Sequence, residues 1–245
     1  MPRFDPAMPL VHPLPDPGQV EVLDGLAYTE AGGRQLSMDV YLPAGREPGS
    51  RLPAVLLVHG EAPPEVLRGV RSWGQYSGWG RLLAAEGLAG VAVEHRAVAE
   101  AGFEGVVAEL GAALAAVRDR AGELGVDPDR LAFAGFSAGV PLTVAALAAG
   151  PAAGVRCAAL CYGPPGDVEP WPGLPPLLLV RAGQDDPDLN RSIDTFVAAA
   201  KAATLPVELV EHPDGHHAFD LLDDTDASRD AIRRVLEFLR RQLAA

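Results

Sequence analysis

The stretch LAFAGFSAGV, Leu131–Val140, decides how the chain is to be read. LAFA is an apolar run of strand length, and Gly135-Phe136-Ser137-Ala138-Gly139 is a turn of small residues about a serine. PLTVAALAA follows with the composition of a helix, and Pro141 falls in the first helical turn, where a missing N–H costs nothing. A serine raised on a sharp strand-to-helix corner needs small neighbours on both sides, and Gly135 and Gly139 supply them. The same residues would also suit a plain turn serine, so the flanking sequence has to separate a nucleophile from a corner.

Working outward, the apolar run recurs. AVLLV at Ala54 to Val58 is continuous and of strand length, as a parallel strand covered on both faces requires. Similar runs lie at Ala89 to Val93, Leu131 to Ala134, Cys157 to Tyr162, Leu177 to Val180 and Val207 to Val210. Helix-like segments stand between them at Gly80 to Glu86, Phe103 to Leu124, Ala138 to Ala149, Asn190 to Ala203 and Thr225 to Leu243. In the last of these Ile232, Val235, Leu236, Leu239 and Leu243 recur at spacings of three and four, so one face packs inward. Upstream, Val20 to Leu23, Ala27 to Glu30 and Leu36 to Leu42 read as short strands divided by glycine turns, and LSMDVYL alternates as a half-buried antiparallel strand does. Strands alternating with helices predict an α/β fold with a doubly wound, mostly parallel sheet and antiparallel N-terminal strands. The Pro-rich residues 1–19 are expected to form an extended arm, and residues 20–245 a single α/β domain. Such an arm would lie over the body or suit a contact with a second copy, as in a homodimer.

With 245 residues the chain can bury a full core, and its even spread of apolar and charged residues fits a globular protein. A formal charge of −13 opposes attraction to nucleic acid or an anionic membrane. Lys201 is the sole lysine and sits in a plain helical context, which argues against Schiff-base chemistry. Cys157 and Cys161 would be roughly 13 Å apart on an extended strand, beyond disulfide reach, and read as buried thiols. The N-terminal prolines leave no room for a signal-peptide apolar core and no segment is long enough to span a bilayer, so a cytoplasmic location is expected.

The motifs, in order, resemble the α/β-hydrolase superfamily. Over residues 20 to 245 these are LSMDVYLP, VLLVHG at the end of the first buried strand, DPDRLAFAGFSAG, RAGQDD after a later strand, and GHHAFD near the end. The chain is most similar there to lidless serine carboxylesterases of the dienelactone-hydrolase-like and acetyl-esterase-like kind. The GPPGDVEPWPGLPP link between Tyr162 and Leu177 is too short for a lid. The resemblance implies a serine, an acid and a histidine in chain order. Ser137 would be the nucleophile and His217, directly before Ala218-Phe219, the base. For the acid, Ala182-x-x-Asp185 and Gly183-x-x-Asp186 each match a pattern of relatives, and Asp185 is preferred. The expected activity is hydrolysis of small-acyl carboxylic esters through an acyl-enzyme, without cofactor or metal, on a small-molecule ester. The alternatives are a serine peptidase or acyltransferase on the same residues, and a catalytically silent relative that binds.

The backbone N–H of Ala138 is the natural first donor to a tetrahedral oxyanion. A second should come from the loop after VLLVHG. Relatives usually continue there with glycine, whereas here His59-Gly60 is followed by Glu61-Ala62-Pro63-Pro64. Prolines cannot donate, so the backbone N–H of Glu61, in preference to that of Ala62, is expected to serve, with the Glu61 carboxylate turned away. Trp73, Tyr76, Trp79, Trp171 and His216 are candidates for the substrate pocket, with core packing the competing reading of the aromatics. For His59 a ring that holds the oxyanion loop by hydrogen bonding competes with direct chemistry, and Asp39 reads as a structural acceptor. The cluster His212, His216, His217, Asp214 and Asp220 lacks the spacing of a zinc motif.

Overall fold

The computed structural model describes residues 5–47, 49–150, 152–166 and 169–244. Among these, one sheet of eight strands has the order β1-β2-β4-β3-β5-β6-β7-β8. The strands are β1 (Val20–Ala31), β2 (Arg34–Pro43), β3 (Leu52–Val58), β4 (Ala89–Val93), β5 (Val126–Phe136), β6 (Cys157–Cys161), β7 (Leu177–Ala182) and β8 (Val207–His212). The β1–β2 and β2–β4 pairs are antiparallel, and every pair from β4 to β8 is parallel.

The helices are α1 (Pro64–Leu67), α2 (Gly74–Ala85), α3 (Val98–Ala101), α4 (Phe103–Asp119), α5 (Ala121–Leu124), α6 (Gly139–Ala148), α7 (Pro187–Ala202), α8 (Phe219–Leu222) and α9 (Asp226–Leu243). Strand side chains alternate between two cores. Val55, Leu57, Ala134, Phe136 and Val180 pack with α2 and α9, while Leu56, Val58, Phe133, Leu160 and Leu179 pack with α4, α6 and α7. Burial on both faces is why the parallel strands read as unbroken apolar runs. The stripe read in the last helix is the buried face of α9, and Thr225 Oγ1 caps that helix by accepting from Ser228 N at 3.1 Å.

Several boundaries differ from the sequence reading. The first two short strands are one, because Gly25 takes φ +64° and lets β1 continue through a register shift between Leu23 and Leu26. Helix α2 begins six residues before Gly80. Its first turns, GQYSG, lack helix propensity, and packing of Tyr76, Trp79 and Leu83 overrides that. The Phe103 to Leu124 segment breaks at Arg120, whose guanidinium bonds Ala27 O and Glu123.

The described part of the N-terminal arm lies on its own chain. Gly74 N donates to Pro6 O at 2.8 Å, Val11 N to Asp220 O at 2.9 Å, and Leu10 is 5% exposed in the core shared with α2 and α9. Both cysteines are free and buried, at opposite ends of β6, and burial pushes the Cys157 thiol up to about 12. Among the described residues no helix is long and apolar enough to cross a membrane.

Candidate active site

Strand β5 ends at Phe136 and α6 starts at Gly139, which leaves Ser137 on the corner with φ +53°, in the left-handed region that costs a non-glycine residue strain. The flanking glycines allow it. A Cβ at Gly139 would stand 2.4 Å from Val58 O, and one at Gly135 would stand 2.6 Å from Thr143 Oγ1. The corner is tied down by Ser137 N donating to Cys161 O at 3.0 Å and Val140 N to Ser137 O at 3.0 Å.

Two loops at the carboxyl ends of other strands meet the serine. Ser137 Oγ lies 2.7 Å from His217 Nε2, and His217 Nδ1 lies 2.7 Å from Asp185 Oδ2. The Asp185 side chain is 7% exposed and its other oxygen accepts from Asp186 N at 2.8 Å, while the His217 ring is 38% exposed. Asp186 does something else: its carboxylate caps α7, accepting from Asp188 N at 2.7 Å and Leu189 N. Of the two aspartates that the sequence left open, Asp185 faces the histidine. Such a chain can move a proton from the hydroxyl to the imidazole while the carboxylate holds the ring's tautomer.

A cavity of about 340 Å³ opens over Ser137, walled by Gly60, Glu61, Ala62, Pro63, Val66, Trp73, Gln75, Tyr76, Phe136, Tyr162, His217 and Ala218. Ala138 opens α6 next to the serine, where the first amides of a helix lack intrahelical partners. The Glu61 carboxylate is held by Val98 N at 3.3 Å, at the start of α3.

His59 is 1% exposed beneath this loop. Its Nδ1 bonds Gly60 O at 2.8 Å and its Nε2 accepts from His95 N at 3.2 Å, so the ring is neutral with the proton on Nδ1. The two imidazoles stack with centroids 3.5 Å apart, and burial lowers both from the usual histidine value, His59 well below it. This is the loop-holding arrangement rather than a ring in the cavity.

Three pocket candidates lie elsewhere. Trp79 is 1% exposed and donates Nε1 to Asp220 at 2.9 Å, behind the wall. Trp171 packs against the core on the other face of the sheet. His216, exposed, turns outward onto Asp223 at 3.1 Å. In each case the position of the side chain is set by its tertiary partners. Asp39 accepts from Gly25 N at 2.7 Å and from Arg71.

Sequence reasoning missed the group beneath the cavity floor. Asp220 is fully buried and takes hydrogen bonds from Tyr162 OH at 2.9 Å, Trp79 Nε1 at 2.9 Å and Gln75 Nε2 at 3.1 Å. Burial pushes its carboxyl up and the three donors pull it back. Tyr162, at φ +40°, stands edge-on to His217 with centroids 5.2 Å apart. Asp220 thus ties the loop of His217 to α2 and to the end of β6. A single acidic letter three residues after a histidine carries no signal of this, because all three donors come from distant segments.

The family model BD-FAE matches residues 38–153, a little under half the chain. Comparison with curated proteins finds no match. Among solved structures, a fungal esterase from Rhizomucor miehei superposes with TM-score 0.75 at 21% identity, over 95% of this chain and 86% of that one. A thermostable esterase from Pseudomonas putida ECU1011 gives 0.75 at 20%, over 94% and 85%. Esterase 2 of the planctomycete Thermogutta terrifontis, with butyrate bound, gives 0.71 at 24%, over 92% and 94%. The chain has the α/β-hydrolase fold.

Proposed function

We propose that this α/β-hydrolase-fold protein is a serine carboxylesterase acting on esters of small acyl groups. The observation that carries the reading is the unbroken line from Asp185 through His217 to Ser137, with both links at 2.7 Å, at the mouth of an apolar cavity. Ser137 Oγ attacks the ester carbonyl carbon as His217 Nε2 takes its proton. The carbonyl oxygen gains the electron pair of the C=O bond and is met by the N–H groups of Ala138 and Glu61. Collapse expels the alcohol, which leaves with the proton returned by His217. Water, reaching the imidazole through its exposed edge, then releases the acid by the same steps. Asp185 orients the ring and offsets its positive charge.

A cavity of about 340 Å³ is at the small end of ligand pockets and suits a short acyl chain. The butyrate held by the Thermogutta esterase is of that size class. Pro63, Val66, Trp73 and Phe136 make much of the cavity wall apolar, which suits the acyl chain of an ester.

Wild-type protein should react with a fluorophosphonate and hydrolyse p-nitrophenyl acetate, and Ser137→Ala should do neither. Equal behaviour of the two proteins in both assays would end the reading. Across p-nitrophenyl esters of increasing acyl length, kcat/KM should fall once the chain outgrows the cavity.

A further inference from the structure

The loop after β3 is poor in donors. Gly60 N–H is already engaged, donating to Tyr76 OH at 3.1 Å, and Pro63 and Pro64 have no N–H. Glu61 and Ala62 are what its backbone has left. The engaged hydroxyl is itself part of the cavity wall. Tyr76 is 4% exposed, and its ring is wedged edge-on against Phe136 at 5.9 Å and His59 at 6.1 Å, so the hydroxyl has little freedom.

Among the described residues, that hydroxyl accepts one hydrogen bond and has no acceptor for its own proton. Buried tyrosine hydroxyls ordinarily find both. Burial also pushes the phenol up, so the proton is retained throughout the neutral range. Gly60, on which the hydroxyl rests, leans on the nucleophile: a methyl group in its place would lie 3.1 Å from Ser137 Cβ and 3.6 Å from Ser137 Oγ. Tyr76, Gly60 and Ser137 are therefore successive neighbours along one wall.

We propose that Tyr76 is a catalytic residue whose hydroxyl donates a hydrogen bond to the substrate carbonyl oxygen as it becomes an oxyanion, beside Ala138 N–H. The proposal rests on the esterase reading above. The Gly60 N–H polarises the tyrosine O–H, so the chain N–H to O–H to oxyanion is a stronger donor than an isolated phenol. Tyr76 keeps its proton throughout. The electron pair that moves onto the carbonyl oxygen during attack returns when the alcohol leaves, and the serine proton travels by way of His217. The hydroxyl adds a third donor to the N–H groups of Ala138 and Glu61, in a loop where Pro63 and Pro64 have none to give.

The test uses p-nitrophenyl acetate and a short-chain trifluoromethyl ketone, which forms a tetrahedral adduct with an active serine. Tyr76→Phe should lower kcat on the order of 10²–10³-fold with KM within about threefold, and should weaken the ketone by a similar factor. A Tyr76→Phe enzyme with kcat and ketone affinity within about threefold of wild type overturns the proposal. Replacement of Tyr76 by 3-fluorotyrosine separates donation from loop-holding, because fluorination makes the hydroxyl a better donor and a poorer acceptor. Donation to the oxyanion keeps or raises kcat. A fall toward the Phe value would show that Tyr76 only positions Gly60, and would overturn the catalytic role. Should the Phe variant fail to fold, the nearly isosteric fluorinated protein carries the test alone. A wild type that neither hydrolyses nor labels, or a Ser137→Ala protein as active as wild type, overturns the esterase reading and this proposal with it. Loss of the Tyr76 effect in an enzyme dependent on Ser137 overturns this proposal alone.

Discussion

Asp185 and Asp186 are adjacent and identical in chemistry, yet their carboxylates meet different partners. Asp185 Oδ2 meets His217 Nδ1, whereas Asp186 turns to the first amides of α7. Asp185→Asn should cut kcat on p-nitrophenyl acetate on the order of 10³–10⁴-fold, because an amide can present a donor where the imidazole needs an acceptor. Asp186→Ala should leave kcat within about threefold and lower the unfolding free energy by about 1 kcal/mol, the usual value of a helix cap. Steady-state kinetics and denaturant titration on the same two proteins check both, and the reverse pattern would exchange their roles. Nothing local in GQDD could have divided these tasks, since either carboxylate is within a short loop's reach of the histidine.

Elements explain why a Pro-rich arm matters to a site it does not line. Pro6 and Val11 bond the start of α2 and the residue Asp220 in α8, and Leu10 packs against Gly78 of α2 in the core shared with α9. Helix α2 carries Gln75 and Tyr76 of the cavity wall, and α8 follows His217 directly. Leu10→Ala should therefore cost about 2 kcal/mol in denaturant titration. Amide hydrogen exchange should quicken at the start of α2 and across α8. Unchanged exchange in those two helices would mean that the arm rests on the surface without bracing them. The length of α2 itself shows the limit of local propensity. Gly74, Ser77 and Gly78 are weak helix formers, and the helix exists there because Tyr76 and Trp79 find buried partners on Phe136 and Asp220.

For the molecule as a whole, the stacked pair His59 and His95 couples folding to pH. Exposed in the unfolded chain, each imidazole takes up a proton near pH 6.5, whereas burial in the native state defers that to lower pH. Below about pH 6.5 the unfolded state binds more protons, so stability falls as pH falls, by up to about 1.4 kcal/mol per pH unit for each ring. The Tm of wild type should drop between pH 7 and pH 5, and His95→Gln should flatten that slope. A slope unchanged by the substitution would place the titrating groups elsewhere.

The order of buried runs and amphipathic segments was enough to determine an α/β fold with a mostly parallel sheet, because burial on both faces forces a strand to be apolar throughout. The FSAG corner and the GQDD and GHHAF loops were likewise legible as turns, since a sharp strand-to-helix corner and strand-end loops need small and polar residues. Tertiary structure alone decided which aspartate meets His217, that Trp79 and Trp171 face cores rather than the cavity, and that Asp220 collects three donors from distant segments. It also decided that the hydroxyl of Tyr76 stands over Gly60. A side chain's direction is chosen by the hydrogen-bond and packing partners that the fold brings to it, and those partners are far away in the chain.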